Sequence, residues 1–216
     1  MSGRPQVQVI RAEPADLDVL SQVIADAFHR LAPSRWLVAD PVARREIFPG
    51  YFRLYVEHAL TRGVVHTTPD RAGAALWIPV GVRGADPPAD YDSRLAAVTS
   101  PWASRFRTFD AVLDAHHPPG PPHHHLTLLA VRPDRQGQGT GTALLRRYHE
   151  MLDCETGAPA YLEASDRRTR QIYLGHGYAD HGAPIGLPDG PLMYPMLRRP
   201  KSHISSEPAG RRADMM

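Results

Sequence analysis

The chain has 216 residues, 42% hydrophobic and 22% charged, ordinary proportions for one globular domain with a buried core. Lys and Arg number 25 against 23 Asp and Glu, and this near balance excludes a protein that coats nucleic acid by neutralising many phosphates. All basic residues but Lys201 are arginine, so no active site can rest on a core lysine, as Schiff base or as P-loop grip.

The single Cys154 excludes an internal disulfide and a cysteine-cluster zinc site. The first residues lack the apolar core of a signal peptide. No apolar stretch approaches the ~20 residues of a membrane helix. A cytoplasmic protein with no membrane partner is expected.

In chain order, alternation predicts a strand over Val7 to Arg11. Pro14 suits the first turn of a helix whose Leu17, Leu20, Ile24 and Ala27 share one face. A second helix is predicted from about Pro41 to Leu60. Val64 to Thr67 and Ala74 to Ile78 read as a hairpin around the Pro69–Gly73 turn. A third helical region spans about Tyr91 to Ala115. The prolines between His116 and His125 exclude helix there. A β run follows from Leu126 to Val131, then a glycine-rich turn and a helix from about Thr140 to Cys154. Ala160 to Ala164 reads as a strand, Thr169 to Leu174 as a short helix, and Leu192 to Leu197 as the last strand. A single α/β or α+β domain over residues 1–199 is expected, with a polar tail from 200 to 216 expected to be disordered.

Gly137, Gly139 and Gly141 lie between a strand and a helix start. Unpaired backbone N–H groups and the helix dipole favour an anion at such a place. A P-loop needs a lysine after its last glycine, and this loop has none. The G-x-G-x-x-G dinucleotide spacing also fails, because Thr142 or Leu144 falls where its last glycine belongs.

The pattern that fits is Gln136-x-x-Gly139-x-Gly141, followed by Leu162-Glu163-Ala164-Ser165 and Tyr173-Leu174-Gly175-His176-Gly177-Tyr178. Here the chain resembles the GNAT superfamily of acyl-CoA-dependent N-acyltransferases. Its layout is similar to that of small-molecule enzymes such as puromycin N-acetyltransferase. The resemblance implies a mixed, mostly antiparallel central sheet flanked by helices, with a strand–Gly-loop–helix unit. It implies acetyl-CoA as acyl donor and the primary amine of a small molecule as acceptor, with a homodimer as an option. Two alternatives stay open: a non-catalytic acyl-CoA-binding or regulatory module, and an enzyme using a protein or a longer acyl chain.

The same resemblance assigns candidate residues. Leu129, Ala130 and Val131, with Gln136, Gly137, Gln138, Gly139, Thr140, Gly141 and Thr142, would hold the cofactor. Thr169 stands where the family often has asparagine and would contact the cofactor more weakly. Arg132, Arg135 and Arg146 or Arg147 could attract its phosphates. Tyr173 takes the family's position for the acid that protonates the leaving thiolate.

Equal spacing back from the loop puts His125 where some members carry a basic glutamate. Strict alternation would set it on one face with Thr127, Leu129 and Val131. The alternative for His125 is a space-filling loop histidine, and Glu163 is a second candidate base. The histidines at 116–117 and 123–125 are adjacent on an extended chain, so they should point apart and form no metal site. Phe28, Trp36, Tyr51, Tyr55 and Trp77 are candidates to line the acceptor pocket.

Overall fold

A computed structural model describes residues 6–200 except positions 83 and 85. The tail expected to be disordered therefore lies, from 201 on, outside the described residues. Strand β1 (Ile10–Arg11) is followed by helices α1 (Leu17–Phe28), α2 (Ala32–Leu37) and α3 (Pro41–Arg62), then by β2 (Val64–Thr67) and β3 (Gly73–Val80). Helices α4 (Tyr91–Thr99) and α5 (Ala103–His116) precede β4 (His123–Val131) and α6 (Thr140–Met151). Then come β5 (Ala160–Ala164), α7 (Arg167–Leu174), β6 (Ala179–Asp180), β7 (Ile185–Gly186) and β8 (Leu192–Arg198).

Seven strands follow the order β1-β2-β3-β4-β5-β8-β6, with β7 paired to β8. Every pairing is antiparallel except β4 with β5. The mixed, mostly antiparallel sheet expected from the sequence is the one observed.

Differences from the expected elements have local causes. Pro101 lies in the middle of the expected Tyr91–Ala115 helix and splits it into α4 and α5, because proline lacks an N–H and pushes the preceding residue to extended backbone. The first strand is shorter than Val7–Arg11, since only Ile10 and Arg11 find partners on β2. Strand β4 begins three residues earlier than Leu126, at His123, because β3 pairs with all three histidines. The short α2, β6 and β7 carry too few residues to show a period.

The two faces of the sheet carry separate cores. On one, α1, α3 and α5 bury Leu20, Ile24, Phe48, Tyr51, Phe52 and Phe106, with Leu128 and Ala130 of β4 beneath them. On the other, α6 buries Leu144, Leu145 and Tyr148 over Trp77, Leu126 and Leu162. Trp77 stacks on Tyr148 with ring centroids 4.2 Å apart and planes 6° from parallel. Gly73 lets α6 approach this closely: a Cβ there would stand 2.8 Å from the Ala130 carbonyl oxygen and 3.1 Å from Thr140. Among the described residues no helix is long and apolar enough to cross a membrane.

Several histidines are folded in as neutral groups. Burial, then the charge of Arg198, pushes His149 down to about 3; burial, then Arg147, pushes His66 down to about 4. An unfolded chain binds protons on these rings below about pH 6.5, which the folded chain resists. Their contribution to stability is therefore whole above pH 6.5 and lost as pH falls towards 4. The melting temperature should drop across that window. His149→Gln, which can still hydrogen-bond the Tyr178 hydroxyl now 3.0 Å from His149 Nε2, should flatten the drop. A melting temperature constant from pH 7 to 4.5 would contradict this.

Candidate active site

The site begins with a break in the sheet. Strands β4 and β5 pair only at His124 with Ala160 and His125 with Tyr161, yet β4 continues to Val131 and β5 to Ala164. Beyond His125 the two strands part and leave one edge of β4 open. The separation coincides with a β-bulge: Leu76 faces Leu128 and Trp77 faces Leu126, so Thr127 has no partner on β3.

The bulge shifts the alternation by one residue. His124 meets Tyr148 of α6, and Leu126 and Leu129 pack with the α6 core. Leu128 and Ala130 pack with the opposite core, and His125 faces His117 of the α5 side. The expectation that His125 and Leu129 share a face is thus corrected, because the extra residue at Thr127 inverts the phase between them.

The bulge also leaves polar groups facing the gap. The Arg132 amide donates to the Ala72 carbonyl beside β3 at 2.8 Å, so by alternation the Leu129 and Val131 amides point the other way, to the open edge. At the end of that edge the Gln136 amide donates to the Val131 carbonyl at 3.1 Å and closes the loop.

Gly137 and Gly139 have φ of +75° and +94°, the left-handed region that glycine enters without strain. Gly141 has ordinary backbone, and a Cβ on it would only touch Val131 at 3.7 Å. Gly139 caps α6, and no side chain caps the helix. The amides of Thr140, Gly141 and Thr142 consequently lack intrahelical acceptors at the positive end of the helix dipole. The loop from Arg135 to Gly139 is exposed.

The flanking arginines differ in availability. Arg132 is held by Asp134 at 2.8 and 3.1 Å, and Arg135 lies 3.6 Å from Asp70, whereas Arg146 and Arg147 are exposed.

Helix α7 follows β5 across the gap. Thr169 is absorbed in its N-terminal capping box, accepting from the Asp166 amide at 3.1 Å while its own amide donates to the Asp166 carboxylate at 2.7 Å. Tyr173 is half-buried, packed like Leu129 against the α6-side core and edge-on to Tyr178 at 5.6 Å. Burial raises its phenol well above the ordinary value, so it stays protonated. Thr142 and His176 approach to 3.4 Å and tie the start of α6 to the end of α7.

At the other end of the gap adjacent histidines do point apart, His124 to α6 and its neighbours to the α5 side, but the expectation that none converge is corrected, because alternate ones meet His117. His123 and His125 lie two residues apart on one face of β4, and the chain turning out of α5 lays His117 against both, with ring centroids 5.0 and 5.1 Å away. His117 and His123 share a hydrogen bond of 3.0 Å between their Nε2 atoms. His125 Nε2 is 2.9 Å from Glu163 Oε2, and His117 Nδ1 is 3.9 Å from Glu163 Oε1. Burial alone would raise the Glu163 carboxyl, but His125 and then His117 hold it below the usual carboxylate range. The sequence displayed both histidine groups, at 116–117 and 123–125, but nothing in it brings His117 against His123 and His125. Among the described residues no group has the geometry of a metal site.

The acceptor candidates divide. Trp77 is fully buried beneath α6, in the core and away from any surface an acceptor could reach. Phe28 packs edge-on against Phe52 at 5.3 Å as part of the α3 core. Trp36 donates to the Pro188 carbonyl at 2.8 Å, with the Arg105 guanidinium 5.1 Å over its ring. Tyr51 and Tyr55 belong to a hydrogen-bonded tyrosine group with Tyr91 and Asp110.

Comparison with known proteins agrees with this geometry. Residues 119–199 match the family model described as the acetyltransferase (GNAT) domain. The fold is similar to a structure from Corynebacterium glutamicum described as histone acetyltransferase HPA2 and related acetyltransferase. That match has TM-score 0.67 and 24% identity, and it covers 92% of this chain and 99% of that one. An agmatine N-acetyltransferase aligns with TM-score 0.62 at 10% identity over 90% and 99%. Arylalkylamine N-acetyltransferase 2 from Aedes aegypti aligns with TM-score 0.58 at 10% identity over 89% and 98% of the two chains. The chain thus has the GNAT fold, with the acetyltransferase (GNAT) domain match in residues 119–199 that hold the bulged strand, the glycine loop and Tyr173.

Proposed function

We propose that the protein is an N-acetyltransferase that moves an acetyl group from acetyl-CoA to a primary amine of a small molecule, by direct transfer with both substrates bound. The observation that carries this reading is the gap between β4 and β5. Around it lie a glycine loop at the uncapped start of α6, two β4 amides that alternation turns to the open edge, a protonated tyrosine and a histidine–carboxylate pair. The structural neighbours that act on agmatine and on arylalkylamines lend the small-amine acceptor support.

In this reading the amides of Thr140, Gly141 and Thr142 take the pyrophosphate, with Gln136, Gly137, Gln138 and Gly139 shaping the loop. The acyl arm lies along the open edge of β4 past Leu129, Ala130 and Val131. An amine attacks the thioester carbon, and the oxygen that gains charge is stabilised by a β4 amide aimed at the gap. As the tetrahedral intermediate collapses, the carbon–sulfur bond breaks and Tyr173 supplies the proton to the leaving thiolate. His125, held by Glu163, accepts the proton that the amine sheds.

Tyr173→Phe keeps the ring packing and removes only the acid. It should lower kcat about 100-fold or more, measured as release of free thiol, while acetyl-CoA binding by calorimetry is retained. Unchanged kcat would remove Tyr173 from the mechanism.

His125→Gln should impair turnover most near neutral pH. Its deficit should shrink as pH approaches the amine's own pKa, where the nucleophile needs no base. A deficit independent of pH would make His125 a structural residue.

Gly139→Ala should cost about 1–2 kcal/mol of stability for a left-handed alanine. It should also reduce the rise in melting temperature that acetyl-CoA produces. No such rise in the unaltered protein would overturn the loop's assignment.

A further inference from the structure

Glu163 stands where β4 and β5 part, two residues beyond the last pairing, that of His125 with Tyr161. Its side chain is only 6% exposed, and a charge so placed is unfavourable unless it is paired. Elsewhere this arginine-rich chain satisfies such groups with guanidinium: Asp16 pairs with Arg71 at 2.9 Å and Asp153 with Arg198 at 2.6 Å. Among the described residues no arginine reaches Glu163, whose ion-pair partners are His125 and His117. The Tyr161 hydroxyl, from the same face of β5, adds a weaker pull in the same direction. Arginine keeps its proton, whereas imidazole exchanges one. A buried carboxylate held by imidazoles suits a group that serves proton transfer.

The hydrogen-bond pattern assigns the proton of each ring. A carbonyl only accepts, so the 3.2 Å contact of His123 Nδ1 with the Pro121 carbonyl places a proton on that nitrogen. Burial keeps His123 and His117 neutral, the latter pushed down to about 4. Nε2 of His123 is then an acceptor, and its 3.0 Å contact makes Nε2 of His117 the donor. The bare nitrogen left to His117, Nδ1, faces Oε1 of Glu163 at 3.9 Å. Two acceptors form no hydrogen bond, so His117 closes one side of the carboxylate without engaging it. The carboxylate also only accepts, and Oε2 at 2.9 Å draws the proton of His125 onto Nε2. Among the described residues Nδ1 of His125 has no hydrogen-bond partner.

We propose that Glu163 and His117 are positioning residues that act through His125. Glu163 keeps the ring proton on Nε2, His117 keeps other donors off the carboxylate, and Nδ1 is the atom that accepts from the amine. This rests on the acetyltransferase reading and deepens it by naming the accepting atom and the residues that prepare it. Once the amine has bonded to the thioester carbon, one N–H bond of the new ammonium breaks. Its electron pair stays on the nitrogen, and the proton bonds to Nδ1. The imidazolium so formed faces Glu163 through its unchanged Nε2–H, and it returns a proton to solvent as the products leave.

Nitrogen–proton correlation spectra of the histidine rings in the isotope-labelled full chain test the proton positions without any turnover. Each ring is identified from the variant that lacks it. Expected at neutral pH are Nε2–H on His125 and His117 and Nδ1–H on His123. A proton on Nδ1 of His125 overturns the proposal and leaves the transfer reading standing on another base. Glu163→Gln keeps the shape but can donate from its amide to Nε2, which moves the His125 proton to Nδ1. It should lower kcat about 100-fold or more, with KM for acetyl-CoA unchanged. An unchanged kcat in a variant whose ring proton has moved overturns the proposal. His117→Ala opens the carboxylate to water and should lower kcat about 10-fold, the worth of one weakened charge-assisted hydrogen bond. His117→Phe restores the cover without a polar nitrogen and should recover part of that loss; an equal loss in both variants removes His117 from the proposal. No thiol release from any amine by the unaltered protein would instead sink the transfer reading on which the proposal rests.

Discussion

Everything at the candidate site follows from one unpaired residue in the sheet. Thr127 occupies a place on β4 for which β3 has no partner, and on either side of it the strand presents opposite faces to the same core. Before the bulge, β4 is held to β5 and displays His123 and His125 towards α5; after it, β4 stands apart from β5 and points Leu129 at α6. A continuous ladder would have placed the histidine over the α6 core and covered the amides that now face the gap. The cost is local, a few hydrogen bonds not made, and such bulges are found where a strand must redirect its side chains.

In the proposed reading, the same break lets an arginine-rich chain offer a phosphate site without a lysine. Parting β4 from β5 leaves room for the glycine turn to lead straight into α6, whose uncapped N-terminus supplies donors that no side chain could replace. The glycines at 137 and 139 are fixed by backbone geometry, whereas Gly141 is not. Packing at the base of α6 then holds the loop in place: Gly73 admits the helix to the sheet and Trp77 stacks on Tyr148.

The strands and most helices were legible because their signals are local. The hairpin of β2 and β3, the Ala160–Ala164 strand and the glycine turn before α6 fall where alternation, turn residues and apolar spacing place them. The bulge was not legible, since an extra residue in one strand is defined only by its partner, and nothing in the run from Leu126 to Val131 marks Thr127. The meeting of His117 with His123 and His125 was not legible for a related reason. It depends on the proline-rich turn folding the end of α5 back onto β4, and the sequence shows only that this segment is not helix. Asp110 lay inside a correctly expected helix, but its tyrosine partners come from α3 and α4, some 55 and 19 residues away in sequence.

The near balance of charge conceals a division within the molecule. At the loop end, the helix dipole of α6 and the exposed Arg146 and Arg147 favour an anion. At the other end, Glu163 lies against His117 and His125, and burial raises Asp110 and Asp114 on α5. Under the proposed function, a site positive at the loop and negative at the histidine end would orient an anionic cofactor and an amine before any contact is made. The sum of +2 says nothing of this, because selectivity between an anion and a cation comes from where the charges sit. The bulge is again what sets the two ends apart, since it puts the free amides and the histidine–carboxylate pair on successive stretches of one strand.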